Sequence, residues 1–599
     1  MTTVRMESLL VPAVLALAAV GGCVDPGKID PTLLNRYQER LVRIGPQQRG
    51  AKGRLDLLVP QRDEKVPQFR LEEVIDATTG RKVRRIHLTL SEAVLLALAS
   101  NTDIRVVSFD PAISKEDMVR AAAAFDYEFF GTISYSKDDL QRSNPLQAGV
   151  TKRRVFQAGL RQQTILGTQW EASYTFTRTF DNAAFETIST RYEPVLALEI
   201  TQPLLRDGWP EFNLAELRIA RITRKVSEEQ FRQRVEEVVT QVIAAYWQLH
   251  LAHYELDIQE KLLAETIRTE KRVRARLDID ATMVEVKQAE AAVATRRARV
   301  IRARNNVVDA RERLIRFISE EQLNLAGEYQ IVLETPPIVT EVRYNVEDQL
   351  VTALAHNPAL AQARFAIDAA DISVRVAKNQ LLPRLDLTVT GSFQGLSNQQ
   401  KQSHANLGTL DYASYSAALT TEIPIGNRLR RADLRQVRLR RLRAIAEMQN
   451  IADQVALQVR NRVREIHTAY QEYLAQKAGV QAAKIQLEAL ESLEEIRAPL
   501  TPEFLNTKLG AQEMLANAAI DQVRAVAAYN TAMAELAQAT GTVLQIEGVR
   551  VILPVAACEA DWPVEGARSG PKPLPTQPTG QTQPARPTTD TTRGEKPLP

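Results

Sequence analysis

Apolar residues recur every three or four positions along several very long stretches of the chain, which is the spacing of one face of a helix. In the clearest stretch Val286, Val293, Val300, Val307 and Leu314 lie seven residues apart. Most of them are followed three positions later by a small or apolar residue, namely Ala289, Ala303, Ala310 and Phe317. This heptad repeat predicts a coiled-coil seam that packs against neighbouring helices.

Two more stretches carry a repeat of the same kind. The first contains Phe231, Val235, Val238, Val242, Ala245, Leu249 and Leu256, and the second contains Leu515, Ala519, Val526, Tyr529, Met533 and Leu536. A helix from near Leu214 to near Leu277 would be roughly 90 Å long, at about 1.5 Å per residue. That length exceeds what a globular core requires.

Other stretches alternate between apolar and polar residues, which is the pattern of a β-strand with one apolar face. Trp170, Tyr174 and Phe176 lie in one such stretch, and Leu385 and Val389 lie in another. This pattern suits any half-buried sheet and also a transmembrane β-barrel, whose strands turn one face to lipid. Together with a secretion signal and no apolar run of about 20 residues, the pattern favours the barrel.

The order of these patterns is duplicated along the chain, which organises it into two repeats. Leu90–Ile104 aligns without gaps with Val346–Leu360, and each segment begins a helix and breaks it at an asparagine, Asn101 or Asn357. In both repeats strands and then a pair of very long helices follow. At the strand-to-helix junctions stand residues that end strands or permit tight turns, namely Pro203, Gly208, Pro383, Pro424 and Gly426.

The two ends of the chain differ from the repeats. The apolar run Leu9–Val20 has the length of a secretory h-region, and Val20-Gly21-Gly22-Cys23 resembles a lipobox, so we expect Cys23 to be diacylated after cleavage. The alternative is a buried helix start with an incidental cysteine. The segment from about Pro563 onward is rich in Pro and Thr and has no apolar periodicity, so it is predicted not to fold.

Composition points to long helices and not to a compact enzyme. Charged residues make up 25% and aromatic residues 6% of the chain, and the net charge of +3 calls for no nucleic acid partner. The sequence shows no catalytic constellation and no phosphate-binding loop, and we expect no enzyme activity and no cofactor. His250 and His253 have a spacing compatible with a metal, but no second ligand pair accompanies them, so we predict no metal site. The arginine-rich run from Arg428 to Arg443 is read as a solvated face, with lipid head groups as the alternative contact.

The duplicated pattern resembles the TolC-like outer membrane efflux protein family, over about residues 88–544. The resemblance lies in the order of the features: the two asparagine-terminated helices, Thr201-Gln202-Pro203-Leu204-Leu205, Leu382-Pro383-Arg384-Leu385, and the paired helical tips. One copy has too few strands to close a barrel, and open sheet edges are not tolerated in hydrocarbon, so several copies must complete it. The resemblance implies a homotrimer, with four strands per subunit in the outer membrane and a helical barrel through the periplasm. It also implies two partners, a periplasmic adaptor and an inner membrane pump or ABC transporter.

The resemblance further implies that the hairpin tips contact the adaptor and constrict the pore. The residues at matching positions are Arg274, Arg276, Leu277, Asp280, Glu285, Ala289, Glu503, Phe504, Leu505 and Leu509. Both tips lack the family's glycine, and Thr507 and Gly510 stand where relatives can place gating aspartates. Between the first and last strands of the first repeat the sequence predicts an additional hairpin, about Arg154 to Phe180, which leaves open which strands enter the barrel.

The sequence therefore predicts a mostly α protein with a small β part, internally duplicated, whose long helical hairpins and barrel strands are completed by trimerisation. The predicted segments are a signal peptide (1–22), a lipid-anchored extension (23–86), a first repeat (87–335), a second repeat (336–545) and a C-terminal segment with a Pro/Thr-rich tail (546–599). The predicted function is that of the outer membrane channel of a tripartite efflux or type I secretion system. The alternative is a coiled-coil periplasmic lipoprotein without a channel, such as an adaptor or a spacer.

Overall fold

A computed structural model describes residues 70–75, 82–142, 147–184, 186–278, 281–318, 329–496 and 501–549. The predictions for Cys23, Asp280, the signal peptide and the C-terminal tail lie outside these residues. Within them, no helix combines the length and the apolar character needed to cross a membrane. The domain boundaries proposed from the sequence stay predictions.

Each repeat begins with short helices and ends with a pair of long ones. The helices of the first are α1 (Leu90–Ser100), α2 (Thr102–Val107), α3 (Phe109–Ala122), α4 (Pro210–Asn213), α5 (Ala215–Ala275) and α6 (Met283–Ile318). Those of the second are α7 (Val346–His356), α8 (Pro358–Asn379), α9 (Gln400–Gly408), α10 (Arg428–Ile496), α11 (Pro502–Thr540) and α12 (Val543–Ile546). Helix α5 has 61 residues, which confirms the predicted helix of roughly 90 Å.

A small sheet closes the first repeat. Strands β1 (Arg70–Ile75) and β2 (Lys82–Leu88) are antiparallel, and β2 pairs in parallel with β7 (Tyr329–Leu333), which follows α6. The buried Tyr246 of α5 fastens this sheet to the long helices, because its hydroxyl donates to the Leu88 carbonyl at 3.2 Å and accepts from the Thr335 amide at 3.1 Å. The N-terminal strands thus pack beside the middle of the helical hairpins.

A larger antiparallel sheet contains strands from both repeats, in the order β3-β4-β5-β6-β8-β9. The strands are β3 (Glu128–Asp139), β4 (Val150–Gln163), β5 (Gln169–Asp181), β6 (Thr190–Pro203), β8 (Arg384–Gln394) and β9 (Ala413–Glu422). The additional hairpin predicted from the sequence is β4 and β5, and it lies between β3 and β6 in the same sheet. The sheet of one chain therefore has six strands, against the four per subunit that the resemblance implies for the barrel. Which of the six enter the membrane stays a prediction.

Most of the predicted seams are buried. Val286, Val300 and Leu314 of α6 are at most 5% exposed, and Phe231 and Leu249 of α5 are fully buried. These seams pack α5 against α6, α8 and α11. The seam predicted in α11 is only partly correct. Its predicted members Leu515, Ala519 and Val526 are half-buried, and a neighbouring set of residues on the same helix is buried instead, namely Ala516, Ile520, Ala525 and Ala532.

The two asparagines that break the opening helices have the same role in each repeat. The Asn101 Oδ1 accepts from the amides of Asp103 and Ile104, and its Nδ2 donates to the Phe317 carbonyl at 2.7 Å. The Asn357 Oδ1 accepts from the two corresponding amides of α8, and its Nδ2 donates to the Ala539 carbonyl at 3.0 Å. Each asparagine therefore caps one helix and ties it to the end of the last long helix of its own repeat.

Replacing Asn357 with alanine is expected to lower the free energy of unfolding by about 1–3 kcal/mol. The substitution removes the helix cap and the hydrogen bond to the carbonyl of the half-buried Ala539. The thermal midpoint of the helical circular dichroism signal in detergent measures the loss, and Asn345→Ala, a more exposed cap of the neighbouring helix α7, is the matched control. An equal loss in both variants would contradict the role of the Ala539 contact.

Candidate functional site

The six-stranded sheet has one apolar and one polar face, and both are continuous from edge to edge. The strand register aligns Ile133, Phe156 and Phe176 on the apolar face, and Thr132, Gln157 and Thr175 on the polar face. The same alternation continues across the second half of the sheet, with Leu198, Val389 and Ala417 on the apolar face and Glu199, Thr390 and Ser416 on the polar one.

The apolar face is largely open to the surroundings. Large apolar side chains on it are exposed by 36–91%, namely Phe129, Ile133, Tyr135, Phe156, Leu160, Leu196, Leu198, Leu387, Val389, Tyr415 and Leu419. Helix α9 covers part of this face, where the His404 Nε2 lies 2.8 Å from the Tyr174 hydroxyl. A continuous open apolar surface of this kind marks contact with a partner or with lipid.

Aromatic and basic side chains border the apolar face at both ends. At the end nearest the helices, the rings of Tyr127 and Trp170 lie 6.1 Å apart. At the other end, Arg154 lies over the ring of Tyr135, and Arg178 over the ring of Tyr192. Along β5, the ten residue steps from Trp170 to Phe180 span about 33 Å, or about 25 Å across a bilayer at a strand tilt near 40°. This is the height of the apolar band of outer membrane barrels.

The junctions between sheet and helices carry the predicted prolines and glycines. Pro203 is the last residue of β6, and Pro383 directly precedes β8. Gly426 has a φ of 85°, the left-handed conformation that favours glycine, two residues after Pro424. Gly208 is needed for a different reason, since a Cβ there would lie 2.7 Å from the Pro203 carbonyl oxygen.

At the opposite end of the long helices, the two hairpin tips pack on each other. Val273, Ala289, Leu505 and Leu509 belong to one buried apolar cluster that joins the α5–α6 tip to the α10–α11 tip. Among the tip residues taken from the sequence, Ala289, Leu505 and Leu509 therefore lie between the hairpins, and Phe504 is half-buried. Of the other tip residues named from the sequence, Arg274, Leu277 and Glu503 are exposed and Arg276 is half-buried.

Glu285, one of the tip residues named from the sequence, is buried and bonds to the start of its own helix. Its side chain is 1% exposed and accepts from the Thr282 amide at 2.6 Å, one turn before it. This is half of a capping box at the start of α6. Arg274 is paired as well, since it donates to Glu290 at 2.6 Å and holds the pKa of that carboxyl below its usual range, together with Lys287.

A chain of charges connects the two tips. Lys508 of α11 is only 1% exposed and pairs with Glu494 near the end of α10. Glu494 also accepts from Arg272 near the end of α5, at 3.4 Å. A buried ammonium without a partner is strongly unfavourable, so Glu494 holds the ends of three helices together.

Arg296 forms a second buried polar connection, which the sequence analysis missed. Its guanidinium, 3% exposed, donates to the Gln512 Oε1 at 2.9 Å, to the Leu509 carbonyl at 2.6 Å and to the Thr266 hydroxyl. Burial lowers the pKa of this guanidinium. A signal existed in the sequence, because Arg296 stands three residues after Val293, where the repeat of α6 otherwise places alanine or phenylalanine.

The remaining candidates are accounted for by packing. The ring of His250 lies edge-on to Trp247 and tilted against Tyr254, and burial lowers the pKa values of both His250 and His253. No group of three or more potential ligands in the described ranges is arranged to hold a metal ion. In the arginine-rich run, Arg441 pairs with Asp371 of α8, and Arg443 pairs with Glu447 within α10.

Glu236 of α5 is a buried acid in the helical part of the protein whose pKa is strongly raised by folding. Its carboxyl is 1% exposed, and burial raises its pKa to about 7 although Arg232 donates to it at 3.1 Å. The folded state therefore holds this proton more tightly than the unfolded state, whose carboxyl titrates near 4.5. Stability contributed by the protonated form is present below about pH 4.5 and is lost as the pH rises to about 7.

Glu236→Gln is accordingly expected to flatten the pH dependence of stability in that window. From the acidic to the neutral end of this window, the free energy of unfolding of the variant should gain on the order of 3 kcal/mol relative to the unmodified protein, since glutamine has no charge to desolvate. Thermal midpoints measured below and above the window test this, with Glu237→Gln as the more exposed control on the same helix turn. Parallel pH profiles for Glu236→Gln and the unmodified protein would contradict the prediction.

Comparison with known proteins agrees with this geometry. Residues 350–542, which cover α8 to α11, match the family described as "Outer membrane efflux protein". The second repeat is therefore similar to the outer membrane efflux protein family over these residues. A curated relative of this family, the outer membrane efflux protein BepC of Brucella suis biovar 1, is 24% identical over 283 residues, or 47% of the chain. The alignment covers 59% of BepC, so the chain matches little more than half the length of that relative.

Solved structures of outer membrane channels share the fold of this chain. The Campylobacter jejuni CmeC outer membrane channel superposes with a TM-score of 0.55 at 15% identity, covering 81% of the chain and 95% of CmeC. The Neisseria gonorrhoeae MtrE outer membrane channel gives a TM-score of 0.55 at 16% identity, covering 82% and 98%. The outer membrane protein VceC of Vibrio cholerae gives 0.56 at 15% identity, covering 76% and 96%. These likenesses extend over both repeats and confirm the predicted fold class.

Proposed function

We propose that this protein is the outer membrane channel of a tripartite export system. One observation carries the proposal: a sheet with a continuous open apolar face and a continuous polar face joins directly to helices long enough to cross the periplasm. A spacer or adaptor would not need an open apolar sheet joined to its long helices, so this combination favours the channel. Copies arranged as a homotrimer would enclose a lumen lined by the polar face.

The hairpin tips are the proposed contact for a periplasmic adaptor, which would connect the channel to an inner membrane pump or ABC transporter. The exposed Arg274, Leu277 and Glu503 are available for this contact, whereas Ala289, Leu505 and Leu509 support the tips from inside. Cys23 is the proposed site of lipid attachment, and its support is the lipobox-like sequence before it.

Conductance in planar bilayers tests the channel directly. The purified full-length protein should give discrete conductance steps, whereas a spacer would give none. Glu199→Lys should shift the reversal potential in a salt gradient towards anion selectivity, because its carboxylate lies on the polar face and three copies multiply the change. Leu198→Ala, one position away on the apolar face, should leave selectivity unchanged. Absence of conductance in all preparations that contain the oligomer would overturn the proposal.

A further inference from the structure

The six-stranded sheet ends in two open edges. In the part of the chain that the structure describes, β3 pairs only with β4 and β9 pairs only with β8. Neither edge strand contains proline, so the outward-pointing amides of both, about every second residue, can donate to a further strand. All ten residues of β9 are exposed, as are eleven of the twelve in β3. Unpaired edges of this length cannot stay open in lipid.

We infer that β9 of one copy pairs antiparallel with β3 of the next, and that all six strands of each copy enter the membrane wall. Three copies, as proposed above, then close a barrel of about eighteen strands. The inference rests on the proposed channel function but goes beyond it, since it assigns the partner of each edge and the width of the pore.

The direction of the strands supports this pairing. Every neighbouring pair in the sheet is antiparallel, so the even number of strands makes the two edge strands run in opposite directions. A copy related by rotation therefore presents β3 to β9 in the antiparallel sense. The faces also match: Ile133 and Ala417 both lie on the apolar face, while Thr132 and Ala418 both lie on the polar face.

The hairpin of β4 and β5 belongs to the wall because it carries the same two faces as its neighbours. Phe156 and Leu160 of β4 continue the apolar face and are 44% and 38% exposed. On the other side Gln157 and Thr175 continue the polar face. A hairpin outside the wall would have no reason to keep the apolar face in register with β3 and β6.

The stagger of the sheet fits a closed barrel. The row of paired residues that begins at Glu128, the first residue of β3, arrives at Ser416, six positions before the end of β9. A shift of about one residue per strand corresponds to a strand tilt of about 40°, within the usual range for barrels. Eighteen strands at this tilt give a wall about 35 Å across, against about 24 Å for twelve strands.

Electron cryomicroscopy of the full-length oligomer in lipid nanodiscs measures this width. A backbone diameter of about 35 Å is the expected result. A conducting oligomer with a barrel of about 24 Å would overturn the inference and leave the channel function intact. An oligomer that neither conducts nor forms a barrel would overturn both.

Engineered cysteines test the strand neighbours, in a background with Cys558→Ser. Thr132→Cys with Ala418→Cys should cross-link different copies into a covalent trimer on oxidation, because β3 and β9 of one copy lie at opposite edges. Thr132→Cys with Leu419→Cys, which faces the other side, is the control and should not cross-link. Residues two apart on β9 lie on the same face, so Ser416→Cys and Thr420→Cys, each combined with Thr132→Cys, test the two neighbouring registers. Failure of all three pairs to cross-link would contradict the β9–β3 contact.

A second pair tests the hairpin in the assembled membrane form. Thr175→Cys with Val195→Cys joins β5 to β6 and should form a disulfide within one copy. If β4 and β5 leave the wall on assembly, β3 would instead lie beside β6. In that case Val195→Cys on β6 would form a disulfide with Thr132→Cys on β3 and not with Thr175→Cys on β5. That outcome would refute the six-strand wall.

Discussion

Glu494→Gln is expected to loosen the hairpin tips by about 3–5 kcal/mol, because it leaves the buried Lys508 ammonium without a counter-charge. Lys508 is 1% exposed and Glu494 is 11% exposed, so water cannot replace the lost partner. Hydrogen exchange of the tip amides in α5, α10 and α11 reports the change as a lower free energy of local opening.

The control for this prediction lies on the same helix. Glu488 pairs with Lys484 at 3.7 Å, and both side chains are 60% exposed, so Glu488→Gln should change stability by less than about 0.5 kcal/mol. Adding Lys508→Met to Glu494→Gln should recover much of the loss, since the unpaired charge is then removed. If the double variant is no more protected than Glu494→Gln alone, the ion pair is not what joins the tips.

Gly541→Ala is expected to lower the free energy of unfolding by about 3 kcal/mol or more, from backbone strain together with a steric overlap. Gly541 ends α11 with a φ of 71°, and a Cβ there would lie 2.5 Å from the His356 carbonyl oxygen. The opening of the second repeat would have to move away from α11. Because Arg232 of α5 donates to the Gly541 carbonyl, the shift would also reach the first repeat.

Gly548→Ala separates strain from overlap. Gly548 has a φ of 68°, close to that of Gly541, but a Cβ there meets nothing within 4 Å. This control should lose only about 1–2 kcal/mol, the cost of the left-handed conformation alone. Thermal midpoints that fall equally for the two variants would show that the contact with His356 contributes nothing.

The sequence was most informative where a pattern repeats over many residues. The heptads of α5 and α6, the length of α5 and the duplicated asparagine caps were all predictable, because each follows from local periodicity or from side chain to backbone bonding. The additional hairpin was recognised as strands from its alternation. Its place between β3 and β6 was not predictable, since strand order depends on contacts between residues far apart in the chain.

The tips were predicted less well, for a physical reason. Sequence position identified the tip residues but could not separate those that face outward, such as Leu277, from those packed between hairpins, such as Leu505. That distinction depends on how two hairpins more than 200 residues apart meet. Arg296 and Lys508 were missed because a charged residue in a heptad is normally read as surface, and only the opposing helices show that these two are buried.

The even number of strands in each copy limits how the number of strands in such a barrel can change. A ring of identical copies keeps uniform antiparallel hydrogen bonding only when each copy has an even number of strands, so a single extra strand would force a parallel seam at every boundary. A whole hairpin such as β4 and β5 avoids this problem, since the outermost strands keep their directions. The hairpin is therefore the smallest insertion by which a pore of this architecture can become wider without any change at the contacts between copies.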